Sequence, residues 1–132
     1  MCGVVGFVNL DHQKASEKIL KKMTNELIHR GTDGEGYWSL QNIAIGHRRL
    51  SIIDLSSAGK QPMLSEDKRY ILSYNGEIYN FKELRYVLQS KGFEFKSKSD
   101  TEVVLSALIC WGADAIKKFN GMFAFAFYDT IK

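Results

Sequence analysis

The apolar positions of this chain change period several times, and each change marks an element. Val4 to Val8 is a short, mostly β-branched run without alternation, which predicts a strand covered on both faces. From Ser16 to Arg30 the residues Ile19, Leu20, Met23, Leu27 and Ile28 fall at helical spacing, with Ser16 as N-cap and Gly31 as the stop. Ile43 to Ile53 returns to a period of two, so that Ile43, Ile45, His47, Arg49 and Ser51 share one face. Tyr70 to Tyr74 predicts a further strand. Beyond it, Asn80-Phe81-Lys82-Glu83 has the form of a capping box, and Phe81, Leu84, Val87 and Leu88 follow helical spacing up to Gly92. Phe93 and Phe95 alternate as in a short strand. Ser99-Asp100-Thr101-Glu102 is a second capping box, ahead of Val103, Val104, Ala107, Leu108 and Trp111. Met122 to Tyr128 carries aromatics on one face and small or apolar residues on the other, a strand that needs cover on both sides.

Composition narrows the class of molecule. The 132 residues, 45% of them hydrophobic, suffice for one globular domain with a real core. No apolar run approaches membrane-spanning length and no secretory signal pattern opens the chain, so a cytoplasmic location and no membrane partner are expected. Cys2 and Cys110 are too few for a disulfide framework and lack metal-ligand spacing, while His12, His29 and His47 stand alone, so no metal is expected. The net charge of +3 is scattered, and Lys91, Lys96 and Lys98 read as a solvated surface. No nucleic-acid partner is expected, since no basic face with interleaved aromatics is evident. A strand at Met122 to Tyr128, so close to Lys132 and needing cover, leads to the expectation that these residues are the front part of something longer.

Five stretches carry candidate chemistry. Removal of Met1 would leave Cys2 first, with a thiol and a free α-amine on one residue, and the amine can then take the thiol proton. The other reading of Cys2 is a small apolar residue leading a buried strand. Arg30 to Gly36 holds three glycines but lacks the Gly-Lys-Ser/Thr ending of a phosphate loop and follows a helix. It reads instead as a tight loop closing over another part of the molecule. Arg49 continues an apolar face, so its guanidinium can aim into a partly buried pocket and bind a carboxylate with two prongs; an exposed strand end or a structural ion pair is the alternative. Asn75-Gly76 is a hairpin signal, yet the helix signature that follows favours strand, special turn, helix, presenting the Asn75 amide and the Gly76 N–H at a strand end as an oxyanion hole requires. Asp100 falls in the first turn of a helix, where it complements the dipole.

Together and in order, Cys2-Gly3, Arg30-Gly31-x-Asp33-Gly34, His47 to Asp54, Gln61-Pro62, Asn75 to Asn80, Ser99 to Glu102 and Gly121 to Phe125 closely resemble the glutaminase domain of class II glutamine amidotransferases. Within that family the strings Arg49 to Asp54 and Asn75 to Asn80 favour the glutamine-dependent asparagine synthetases over the sugar-phosphate and phosphoribosyl amidotransferases. The resemblance covers essentially the whole chain. It implies an α+β, four-layer αββα N-terminal-nucleophile hydrolase fold, truncated at its C-terminal end, with residues 1–132 an incomplete glutaminase domain and the ATP-dependent synthetase domain absent.

The activity so implied is hydrolysis of glutamine to glutamate and ammonia through a γ-glutamyl thioester, supplying ammonia for asparagine. Cys2 corresponds to the nucleophile, Asn75 and Gly76 to the oxyanion hole, Arg49 to the grip on the substrate α-carboxylate, Asp100 to the ammonium ligand and Glu77 to a further substrate contact. No cofactor is implied within this domain; ATP and magnesium belong to the synthetase domain, which is the expected partner, and a homodimer is left open. Thr32 departs from the proline more usual there, which bears on the loop over bound glutamine. An inactive module with a binding role, or the same glutaminase serving another acceptor such as a sugar acid, are the competing readings.

Overall fold

The computed structural model describes residues 2–50 and 59–131, and all that follows concerns these. Strand β1 (Gly3–Val8), helix α1 (Glu17–Asn25), a 3₁₀ turn (Ile28–Arg30), β2 (Gly34–Leu40) and β3 (Ile43–Arg49) form the first half. The second half contains β4 (Met63–Leu64), β5 (Tyr70–Ile78), α2 (Phe81–Ser90), α3 (Asp100–Trp111), a 3₁₀ segment (Gly112–Lys118) and β6 (Gly121–Asp129).

Two antiparallel sheets result. One has the order β1-β3-β2 and the other β4-β5-β6. Helix α1 covers the first sheet: Ala15, Leu20 and Ala44 are buried together with Phe7 and Tyr37 against them. Helices α2 and α3 cover the second, where Leu72, Tyr74 and Ile78 of β5 meet Leu84, Leu88, Val103, Val104, Ala107 and Leu108. Phe123, Phe125 and Phe127 of β6 pack on the same core. The uncovered faces of the two sheets meet each other through β1, β3 and β5. The order of layers is therefore helix, sheet, sheet, helices, the four-layer α+β arrangement expected.

The doubly covered strand is β5, where Ile71, Leu72, Ser73 and Tyr74 are buried in succession. In contrast β1 is an edge strand with Gly6 and Val8 exposed, so the cover expected on both its faces is only partial. The face of β6 opposite its phenylalanines is also open at one end: Met122 is 63% exposed, while Tyr128 lies against Trp38 of β2 with ring centroids 5.7 Å apart.

Three local expectations are corrected. Helix α1 ends at Asn25 rather than running to Arg30, because the buried Arg48 claims its C-terminal groups, donating from Nε to the Thr24 carbonyl at 3.3 Å and from Nη2 to the Asn25 Oδ1 at 3.1 Å. Residues 93–97 form no strand: the N–H groups of Lys96 and Ser97 donate to the Glu102 carboxylate instead of to a neighbouring strand. Gly34 and Gly36, assigned from sequence to a loop, open β2, which returns to β3 through the two-residue turn Gln41-Asn42. Gly36 is required there by close approach, since a Cβ would enter the Gln61 carbonyl.

Candidate functional site

Alternation along the strands decides which side chains enter the space between the sheets. On β1, Gly3 packs against Leu27 beyond α1, so Cys2, one residue earlier, turns to the opposite, inter-sheet side. On β3, Arg48 faces α1 and pairs with Glu35 at 3.3 Å, whereas His47 and Arg49 face the other sheet. On β5, Ser73 donates its hydroxyl to the Gly46 carbonyl across the gap at 3.4 Å, so Asn75 and Glu77 share that inter-sheet face. Cys2, Arg49, Asn75 and Glu77 thus come to one end of one interlayer space.

Around Cys2 the contacts are backbone contacts. The Leu50 N–H donates to Sγ at 3.3 Å, and the thiol faces the Leu50 carbonyl at 3.5 Å. Arg30 donates from Nε to the Cys2 carbonyl at 3.1 Å. Gly31 lets this turn lie against β3: a Cβ there would stand 2.6 Å from the Arg48 carbonyl carbon and the Arg49 nitrogen. The loop from Arg30 therefore closes on the strand that carries Arg49, and the Asp33 N–H donates to the Arg49 carbonyl at 2.9 Å. Arg49 is half-buried at the end of β3. Ser51 to Asp54, which carried part of the sequence pattern, lie outside the described residues.

Asn75 and Gly76 are not in a turn. β5 continues through them to Ile78, paired with β6 as Asn75↔Ala124, Gly76↔Phe123 and Glu77↔Met122. The hairpin and the special turn are both replaced by an uninterrupted strand. A Cβ at Gly76 would collide with the Met122 carbonyl and the Phe123 backbone, so only glycine lets β6 approach. Asn80 likewise makes no side-chain cap; its amide donates to the Lys118 carbonyl and accepts from the Asn120 N–H, which fastens the start of β6.

β4 pairs with β5 only at Ile71 and Leu72, which leaves the later part of that edge to side chains. There the Tyr74 N–H donates to Gln61 Oε1 and the Ile78 N–H to Asp100 Oδ2 at 3.2 Å. Strand alternation directs the Gly76 N–H to this same edge, between those two. Asp100, first residue of α3 after the Ser99 cap, is 5% exposed and also accepts the Tyr74 hydroxyl at 2.8 Å. Burial raises the Asp100 carboxyl above its usual range, opposed by those hydrogen bonds. Tyr74 is pushed up by burial and then by the Asp100 charge, with Glu77 and Cys2 contributing in the same direction. That Cys2, Glu77 and Asp100 all act on one phenol ties both sides of β5 to one neighbourhood.

Three residues were not singled out from sequence as parts of this neighbourhood. Tyr74 bonds to Gln61, Asp100 and His47; Gln61 also donates to Thr101 Oγ1 at 3.4 Å; and His47 Nε2 meets the Tyr74 carbonyl at 3.0 Å with its Nδ1 unpartnered. Their only sequence signal is position beside named motifs, since each acts across a long chain separation. Among the described residues no three His, Cys, Asp or Glu side chains converge to hold a metal ion, and no helix is long and apolar enough to cross a membrane.

Comparison with known proteins concerns the chain as a whole. The sequence pattern of the glutamine amidotransferase domain matches residues 1–132. Asparagine synthetase [glutamine-hydrolyzing] 1 of Bacillus subtilis is 42% identical over 132 residues, spanning 98% of this chain and 21% of that protein. Asparagine synthetase B of Escherichia coli is 36% identical over 134 residues, spanning 100% of this chain and 24% of that protein. The chain thus spans about a fifth to a quarter of the length of these curated relatives. Among solved structures, glutamine phosphoribosylpyrophosphate amidotransferase from B. subtilis superposes with a TM-score of 0.80 at 21% identity, covering 98% of this chain and 35% of that one. At that identity the match speaks for the fold.

Proposed function

The chain belongs to the glutamine amidotransferase domain family, and on that premise we propose that it hydrolyses the side-chain amide of glutamine to glutamate and ammonia with Cys2 as nucleophile. The observation that supports this most is the gathering of Cys2, Arg49 and Asn75 at one end of the inter-sheet space, beside the edge of β5 to which the Gly76 N–H is directed. Free glutamine carries a carboxylate, an ammonium and an amide, so its site needs a cation, an anion, a nucleophile and oxyanion donors. Arg49, Asp100, Cys2 and the pair Asn75 and Gly76 answer to these in turn, with Glu77 as a further contact.

In the proposed sequence, loss of Met1 frees the Cys2 α-amine, which accepts the thiol proton. The thiolate forms a bond to the amide carbon, and the carbonyl electron pair moves to oxygen, where the Asn75 amide and the Gly76 N–H stabilise it. Collapse breaks the C–N bond, the α-ammonium returns its proton to the leaving nitrogen, and ammonia departs from a γ-glutamyl thioester. Water, deprotonated by the same amine, attacks the thioester; the C–S bond breaks and glutamate leaves. In the parent protein the ammonia passes to a separate synthetase domain, which uses ATP and magnesium to form asparagine.

Intact-mass spectrometry after exposure to a diazo-ketone glutamine analogue, paired with a glutamate-release assay, tests the reading. The expected result is one adduct on Cys2 in the chain lacking Met1. Cys2→Ala takes no label and releases no glutamate but still binds glutamine. A processed chain that neither labels nor releases glutamate overturns the assignment for these residues.

A further inference from the structure

We propose that Tyr74 is a positioning residue: it orients the Asp100 carboxylate to receive the α-ammonium group of glutamine, and it thereby sets the preference for an α-amino substrate. This inference rests on the glutaminase reading given above.

Tyr74 is 2% exposed and anchored at three atoms. Its N–H donates to Gln61 Oε1, its carbonyl accepts from His47 Nε2 at 3.0 Å, and its hydroxyl donates to Asp100 Oδ2 at 2.8 Å. The phenol is therefore braced by both sheets before it reaches the carboxylate. Asp100 Oδ2 also accepts the Ile78 N–H at 3.2 Å, and Gln61 ties the adjacent Thr101 hydroxyl at 3.4 Å. Together they close a polar ring that locks the first turn of α3 onto β5.

Every one of these donors to Asp100 is neutral. A buried carboxylate without a cation is costly, and removing a cation from such a site, or failing to supply one, leaves an uncompensated charge. Among the described residues no ion pair reaches Asp100. Arg85 on α2 donates to the Ser99 carbonyl at 3.2 Å; Glu77 on β5 is exposed and carries no cation; Glu102 on α3 is turned to the N–H groups of Lys96 and Ser97. The backbone N–H groups of Asp100 and Thr101 also bond to the carboxylate, and they too are neutral. A buried carboxyl group reached by neutral donors alone, the Tyr74 hydroxyl foremost among them, suits a ligand that brings its own positive charge.

Tyr74→Phe in the full chain removes one hydroxyl and leaves the ring. Kinetics are compared with glutamine and with 4-carbamoylbutanoate, which is glutamine without its α-amino group. The expected result is a KM for glutamine raised about 10–100-fold, the effect of losing a hydrogen bond to a charged group, with kcat little changed and the deaminated substrate handled alike by both chains. Equal KM values for glutamine, or equal losses on both substrates, overturn the proposal. Carboxyl titration of Asp100 by NMR gives an answer that does not depend on turnover: its pKa is expected higher in Tyr74→Phe, and an unchanged value overturns the role. If the parent chain releases no glutamate, the glutaminase reading fails while this titration still decides the role of Tyr74. Should Tyr74→Phe not fold, 3-fluorotyrosine at position 74 keeps the shape and strengthens the donor; a lower Asp100 pKa is then expected, and no change overturns the proposal.

Discussion

The Nε2 atom of His47 lies 3.0 Å from the main-chain carbonyl of Tyr74, a hydrogen bond that crosses from one sheet to the other at the residue before Asn75. His47 is fully buried, and its Nε2 must carry the proton to donate to a carbonyl. Burial, with the charge of Arg49 acting the same way, lowers its pKa to about 4 against the opposing effect of that hydrogen bond. The two sheets are therefore joined by a neutral histidine close to Arg49.

This has a signed consequence for acid stability. In the unfolded chain the histidine titrates near 6.5, so below that pH the unfolded state binds a proton that the folded state refuses until about pH 4. Its contribution is complete above pH 6.5 and is lost as pH falls toward 4, by at most about 3 kcal/mol. His47→Gln is expected to show a shallower loss of stability than the parent chain between pH 7 and 4.5, measured by urea unfolding. Parallel curves would remove His47 from the acid transition.

Arg49→Ala is expected to raise the KM for glutamine about 10–100-fold, since a hydrogen-bonded charge pair is lost, with a smaller effect on kcat. Steady-state kinetics at fixed ionic strength check this. A KM equal to that of the parent chain would make Arg49 part of the β3 scaffold only.

For Asn75→Ala the loss is expected mainly in kcat, by about 10²–10³-fold, as for removal of one oxyanion donor. Glutamine binding, followed calorimetrically in a Cys2→Ala background, should hardly change. A pure binding defect would move Asn75 out of the oxyanion role.

Gly76→Ala is a test of the strand rather than of the chemistry. A Cβ at this position meets the Met122 carbonyl and the Phe123 backbone, so β6 must move. The expected cost is about 1–3 kcal/mol, seen as a melting temperature lower by roughly 5–15 °C. An unchanged melting temperature would mean that β5 and β6 separate here without penalty.

Much of this architecture is written locally. The apolar spacing of Leu20 and Leu84, the Ser16 and Ser99 caps and the period of two along Ile43 to Arg49 lie within a few residues of what they specify, and Ser16 Oγ and Ser99 Oγ do accept the Ile19 and Thr101 N–H groups. Propensity and side-chain direction depend on neighbours along the chain, so such elements are legible. The residue types for glutamine chemistry are legible for the same reason, as short strings in a fixed order.

What the tertiary structure alone decided depends on partners far along the chain. Asn75-Gly76 reads locally as a turn, and only β6, arriving more than forty residues later, makes it strand. Phe93 and Phe95 alternate, yet among the described residues no strand pairs with them and Glu102 takes the neighbouring N–H groups. Tyr74 looks like one more apolar strand position until Gln61, His47 and Asp100 meet at its three polar atoms. A backbone or buried polar group must find a hydrogen-bond partner, but which partner it finds is set by how the sheets stack, and no window of sequence contains that.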